Sequence, residues 1–224
     1  APSRSEALDL ADKHHDPTAF DRAVTLAWTQ AQVQLHHIGV EPDEARLFQH
    51  LANHVLYSDP TLRPPSAVLI RNQRGQSTLW AHGISGDLPI VLVRIDEAED
   101  LEMVRQLLRA HEYWRMKQLA VDLVILNERP SSYAQDIRSS LEALVRASQS
   151  RPHPDGEGAR GAVFVLRADL ISIEVRELLR TTARVAILSR HGSLSEQLDR
   201  LDDARAVDVH ERGRARVIVH HRQQ

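Results

Sequence analysis

The chain has no cysteine among its 224 residues. That excludes a disulfide framework, a thiolate nucleophile and any zinc site built on Cys ligands. Aromatic residues make up only 4% of the total, thin material for the flat platforms on which carbohydrate modules stack a sugar's apolar face. No window approaches the roughly 18 consecutive apolar residues of a membrane-spanning helix, so direct membrane insertion is not expected. Nor does the start show a basic–apolar–small-residue leader. Lys and Arg, 28 together, are interspersed with 31 Asp and Glu for a net charge of −3. Without a basic stripe, nucleic acid is not an expected partner. The first residues, APSRSEALDLADKHHD, lack a methionine and begin in helical periodicity, and RARVIVHHRQQ stops after an alternating apolar run. The expectation is a piece of something longer.

What is present falls into two rhythms. Phe20, Val24, Ala27, Trp28, Ala31, Leu35 and Ile38 recur in steps of three and four and predict an amphipathic helix over Thr18 to Ile38. Asp16-Pro17 should cap its start, and Gly39 its end. A second helix, Pro42 to Tyr57, would bury Ala45, Phe48, Leu51, Ala52 and Val55 and pair antiparallel with the first. Ser58 to Pro65, SDPTLRPP, reads as an extended connector. Beyond it come four short runs rich in Val, Ile and Leu: Leu88–Ile95, Leu119–Leu126, Gly161–Arg167 and Ala183–Leu188. Near-continuous apolar runs of this kind suit strands covered on both faces. Helical patterns separate them over Asp100–Lys117, Ser132–Ala147 and Asp169–Thr182, and Ser193–Leu201 forms a further short helix. Alternating strand and helix predicts an α/β fold with a mainly parallel sheet, three-layered and Rossmann-like, preceded by an N-terminal helical linker. The division expected is 1–65 for the linker and 66–224 for the α/β domain. Arg151–Gly161 is expected to be a mobile loop, and Arg214–His220 a last strand or the opening of a following domain.

The stretch LWAHGISGDLPIVLVRI, Leu79 to Ile95, holds the one feature that suggests phosphate chemistry, two glycines in GISGD. A dinucleotide fingerprint needs its glycines after a strand and opening a helix, and a Walker loop needs Gly-Lys-Ser/Thr. Here the glycines precede a strand. Gly83, Ser85, Gly86 and Asp87 therefore read as a structural turn, with Ser85 or Asp87 bonding nearby backbone. Polar residues at the opposite strand ends fit a ligand site better, because open α/β sheets bind ligands beyond the carboxyl ends of their strands. That edge would carry Asp96, Asn127, Glu128, Asp169, Arg190 and His191, of which Asn127, Glu128, Asp169, Arg190 and His191 are the candidate ligand-binding set. Such positions also cap helices and face water in any α/β domain.

His111 and Trp114 fall on the apolar stripe Leu101, Val104, Leu107, Leu108, His111, Trp114, so both are expected to point inward as structural residues. His50 and His54 have the spacing of a helical zinc pair, but Leu51 stands where a general-base Glu would follow. The doublets His14-His15, His36-His37 and His220-His221 lack ligand spacing, and no metal or cofactor is expected. Catalytic residues stay unassigned, since no G-x-S-x-G elbow occurs and no serine has a recognisable base. Phe20, Trp28, Phe48 and Phe164 are taken up by core stripes. Trp80 and Tyr133, with Tyr113 or Trp114, remain for a surface.

Several strings resemble one family. LWAHGISGDLPIVLVRI, then Val104–Arg115 ending in HEYWR, then VDLVILNE at Val121–Glu128 are similar to the cyclic β-1,2-glucan synthases of the NdvB and ChvB type. So are FDRAVTLAWTQAQVQLHHIG upstream and GAVFVLRADLIS, RVAIL and GSLSEQLDR downstream. The resemblance covers almost the whole chain. It implies a very large bacterial inner-membrane parent, whose glycosyltransferase builds and cyclises a β-1,2 chain from UDP-glucose and whose phosphorylase-like domain trims it. The chain resembles neither catalytic part, and no catalytic residue carries over. The resemblance therefore implies an accessory segment, on the cytoplasmic side, with the parent's neighbouring domains as partners and β-1,2-glucan as a further contact. The rival reading is an independent α/β domain that binds or acts on a sugar or nucleotide-sugar at its strand carboxyl ends.

Overall fold

Four parallel strands carry the fold. The computed structural model describes residues 3–16, 18–57, 62–129, 134–149 and 161–203. The strands are β1 (Ile90–Ile95), β2 (Asp122–Asn127), β3 (Val163–Arg167) and β4 (Val185–Leu188), ordered β3-β2-β1-β4. Every neighbouring pair is parallel, with Leu92 level with Val124 and Ala186, and Val124 level with Phe164. The three-layer α/β expectation holds. β2 is buried along its whole length and β1 nearly so, whereas β3 and β4 at the two edges are only partly covered.

Helices α6 (Leu101–Met116) and α7 (Ala134–Gln149) pack against each other. The opposite face is sealed by α8 (Ile173–Thr182) with the short helices α4 (Ser66–Arg71) and α5 (Ser77–Trp80). On that face Ile90, Leu92, Val124 and Leu126 join Leu79, Ile84, Val175, Leu178 and Leu179 in one apolar cluster, against which Phe164 packs. Helices α4 and α5 fill a stretch for which the sequence offers no element, because each is too short to show a period. A 3-10 turn, Ser189–His191, follows β4, and a helix over residues 194–203, here α9, closes the described chain. The Arg214–His220 run, Tyr133, Pro17, residues 58–61 and residues 151–160 lie outside the described residues.

Contacts divide the chain into two units, Ala1–Ala45 and Arg46–Gln224. The first holds α1 (Arg4–His14) and α2 (Thr18–Ile38). Asp16 starts α2 by accepting from Thr18 N at 2.9 Å and Thr18 Oγ1 at 2.7 Å. Gly39, at φ 66°, ends it in a conformation that costs glycine little. The stripe expected to be buried is not. Phe20 is 74% and Trp28 65% exposed, with Val24 also open, while Leu26 and Val33, outside that stripe, are exposed on the other side of the helix. Periodicity marks which residues seek cover without saying what supplies it.

Helix α3 (Pro42–Leu56) belongs to the second unit from Arg46 on, and there Phe48, Leu51 and Val55 are buried. Trp114 Nε1 donates to Phe48 O at 2.9 Å, and Gln49 Nε2 donates to Tyr113 Oη at 2.8 Å. Tyr113 and Trp114, held open above as surface aromatics, are 3% and 1% exposed. Between α6 and α7, Ser148 Oγ donates to buried Glu112 Oε1 at 2.7 Å.

Asp122 opens β2 and is almost fully buried, its Oδ1 accepting from Ala162 N at 2.9 Å. Burial pushes its carboxyl above the usual range, the Ala162 bond opposes this, and the nearby Asp87 charge adds to it. A carboxyl whose folded pKa exceeds its unfolded value weakens the fold above the folded value, and the loss is recovered as pH falls through it. Asp122→Asn keeps an acceptor for Ala162 N without the buried charge. Its melting temperature should exceed that of the parent at pH 7, and the gap should close as the pH is lowered toward 4. A variant that melts below the parent at pH 7 would show that the charge is compensated.

Candidate functional site

The carboxyl ends of the strands form one rim, but their polar residues do not form one site. Asn127 is the last residue of β2 and 3% exposed; its Oδ1 accepts from Arg129 N at 3.0 Å. Glu128 follows, held by Arg94 through Nε–Oε1 and Nη2–Oε2 contacts of 2.9 Å each. Asp169 lies beyond β3 and is gripped by Arg167, with Nε–Oδ1 at 3.0 Å and Nη2–Oδ2 at 2.5 Å. That hydrogen-bonded pairing holds the Asp169 carboxyl below its ordinary range. Arg190 and His191 sit in the turn after β4. With the order β3-β2-β1-β4, Asp169 belongs to one edge and Arg190 with His191 to the other. Three strand spacings separate the two edges, roughly 14 Å, so these side chains do not converge on one small group. The sequence lists these ends in order along the chain; the crossover after β3 is what parts them.

That crossover also places the topological switch point. The chain steps outward from β1 to β2 to β3, then returns to lay β4 on the other side of β1. The crevice between the ends of β1 and β4 is therefore where an open α/β sheet offers a ligand site. A pocket of about 370 Å³ opens beside it, lined by Arg63, Arg94, Arg180, Arg190, His191 and Arg200 among others. Asp100, at the start of α6, ties the crevice together. Its Oδ2 accepts from Asp96 N and Glu97 N at 2.9 Å each and from Ser189 Oγ at 2.7 Å. Gln197 of α9 adds a second tie, its Nε2 donating to Leu188 O at 3.0 Å and Gly192 O at 2.9 Å.

Sequence reasoning named Arg190 and His191 here and missed the other arginines. One signal was available. Ile90, Leu92 and Arg94 alternate onto the α8 face of β1, so the arginine in IVLVRI breaks an otherwise apolar inward series. Arg63, between Leu62 and two prolines, carried no pattern at all.

The GISGD stretch lies at the other end of the sheet, ahead of β1. Gly83 and Gly86 have φ of 75° and 76°. Gln76 Nε2 donates to Ser85 O at 2.8 Å and to Asp87 Oδ1 at 2.9 Å, and Asp87 N donates to Ser85 Oγ at 3.2 Å. Trp80, 64% exposed, donates from Nε1 to Ser85 O at 3.2 Å. A larger cavity of about 670 Å³ adjoins this turn, lined by Gly86, Asp87, Ile90, Thr181 and Arg184 among others. His111, 2% exposed, has Nε2 2.9 Å from Val121 O. His50 lies 3.3 Å from Asp202, and its ring is 5.1 Å from that of buried His54. Among the described residues no group of three or more His, Asp or Glu is arranged to hold a metal ion, and no helix is long and apolar enough to cross a membrane.

No protein-family model matches the chain. It is similar to the cyclic beta-(1,2)-glucan synthase NdvB of Rhizobium meliloti (strain 1021), with 38% identity over 201 residues. The match covers 89% of this chain and 7% of that protein, so the chain spans less than a tenth of its relative's length. With a stretch this long aligned at this identity, the chain belongs to the NdvB-type cyclic β-(1,2)-glucan synthases, as one segment of such a protein.

Proposed function

We propose that this segment is an accessory domain that positions neighbouring domains of an NdvB-type synthase, while the sugar-transfer chemistry takes place elsewhere in the parent. The observation that carries this is the open face of α2. The helix has 21 residues and buries none of them. At 1.5 Å per residue it is about 31 Å long. Phe20, Val24 and Trp28, spaced four residues apart on one face of it, all stand more than half exposed. Covering one such side chain is worth roughly 1.5–3 kcal/mol, so the three on one face form a surface with a preference for a partner. The partner in this reading is another part of the same polypeptide, since the relative is more than ten times longer than the stretch it shares with this chain. The helical stretch before the sheet then serves as the linker through which the α/β unit is attached. The parent's activity, building cyclic β-1,2-glucan from UDP-glucose at the cytoplasmic side of a bacterial inner membrane, is the setting proposed for it.

Replacing Phe20, Val24 and Trp28 together by serine in the full-length synthase tests this. Losing one buried contact of this size costs roughly tenfold in an equilibrium. Glucan formed per molecule of enzyme is expected to fall at least tenfold, with the amount of protein in the membrane fraction unchanged. Full synthesis from the triple variant would reject a positioning role for α2.

A further inference from the structure

The pocket at the switch point is ringed by arginines. Its lining includes five guanidiniums, from Arg63, Arg94, Arg180, Arg190 and Arg200, with the imidazole of His191 and no carboxylate. Two of the five are balanced from outside the pocket, Arg94 by Glu128 and Arg180 by Glu177 at 3.5 Å. The Glu196 carboxylate is held below its ordinary range by its bonds with Ser193 and by the charge of Arg200 one helical turn away, whereas Arg63 and Arg190 enter no ion pair among the described residues. Arg63 Nη2 donates to Thr181 O at 2.9 Å, and Arg200 Nη2 donates to His191 O. Arg63 Nε is buried and has no hydrogen-bond partner among the described residues. Two uncompensated positive charges, Arg63 and Arg190, share one concavity with three further guanidiniums, in a chain whose overall charge is −3. Such a cluster is stabilised by an anion, and guanidinium forks match the tetrahedral oxygens of a phosphoryl group. Its place, beyond the carboxyl ends of β1 and β4, is where this sheet topology presents ligands. The volume, about 370 Å³, lies within the range of small-molecule sites.

We propose that this pocket binds a phosphate-bearing small molecule, with Arg63, Arg190 and Arg200 as its direct contacts and Arg94, fixed by Glu128, as the rigid floor. The site is separate from the α2 face and can be tested without disturbing it. The probes are inorganic phosphate and pyrophosphate, titrated calorimetrically into the 224-residue chain, with thermal melting as a second readout. Pyrophosphate should bind the more tightly, because it offers more oxygens to the same forks, and should raise the melting temperature with the logarithm of its concentration above Kd. Arg190→Gln and Arg63→Gln should each weaken it at least tenfold. Arg105→Gln, on exposed α6 surface, should leave it unchanged. Arg63 also anchors Thr181, so its variant is checked for folding by circular dichroism. Arg190, in a surface turn, supplies the arm that does not depend on that check. Absence of binding by both probes, or equal affinity in the parent and Arg190→Gln, would overturn the assignment.

Discussion

Gly161→Ala is expected to lower stability by about 3–5 kcal/mol, near the top of the range for a single substitution. The cause is space. A Cβ on residue 161 would lie 1.7 Å from Val121 O, 2.3 Å from Val121 C and 2.6 Å from Val121 N. All three are backbone atoms at the mouth of β2, so no rotamer change relieves the overlap. Moving Val121 would pull on the first rungs of the β2–β3 ladder. There Leu123 N donates to Ala162 O and Ala162 N to Asp122 Oδ1, each at 2.9 Å. For a chain of this size 1 kcal/mol corresponds to about 2–4 °C, so the melting temperature should fall on the order of 10 °C. A fall within about 2 °C would mean that β3 does not approach β2 in this way.

Trp114→Ala should cost a similar amount, about 3–5 kcal/mol, through the cavity it leaves. Trp114 is among the largest fully buried side chains, on the α6 stripe. It also supplies a hydrogen bond, so a second variant separates the two contributions. Trp114→Phe keeps most of the apolar volume but removes the Nε1 donor to Phe48 O. A buried carbonyl left without its donor costs about 1–3 kcal/mol, and the Phe variant should fall between the parent and the Ala variant. Equal stability of Trp114→Phe and the parent would show that α3 and α6 are not joined through that bond.

Much of this architecture was legible because period and burial coincide in the α/β part. The four apolar runs became β1 to β4, each trimmed by two or three residues at its start, where the chain enters the sheet. The α6 stripe from Leu101 to Trp114 could be read directly, since one face of that helix meets the core. For α2 the same logic failed. The stripe is real, but Phe20 and Trp28 remain exposed, and local periodicity contains no information about a partner. The candidate site was only half legible. Strand-end positions follow from the α/β pattern, yet strand order does not, and it is strand order that sends Asp169 to one edge and Arg190 with His191 to the other. The arginines brought together at the crevice come from positions 63 to 200 of the chain, a grouping that no local motif records.

The most direct measurement is a photo-crosslink from position 28 of α2 within the intact synthase, where an introduced photoreactive residue replaces Trp28. If the open helix face is a seat for a neighbouring domain, mass spectrometry will recover a peptide from outside this segment joined to residue 28. Recovery of uncrosslinked chain alone, or of links confined to the segment's own residues, would contradict it.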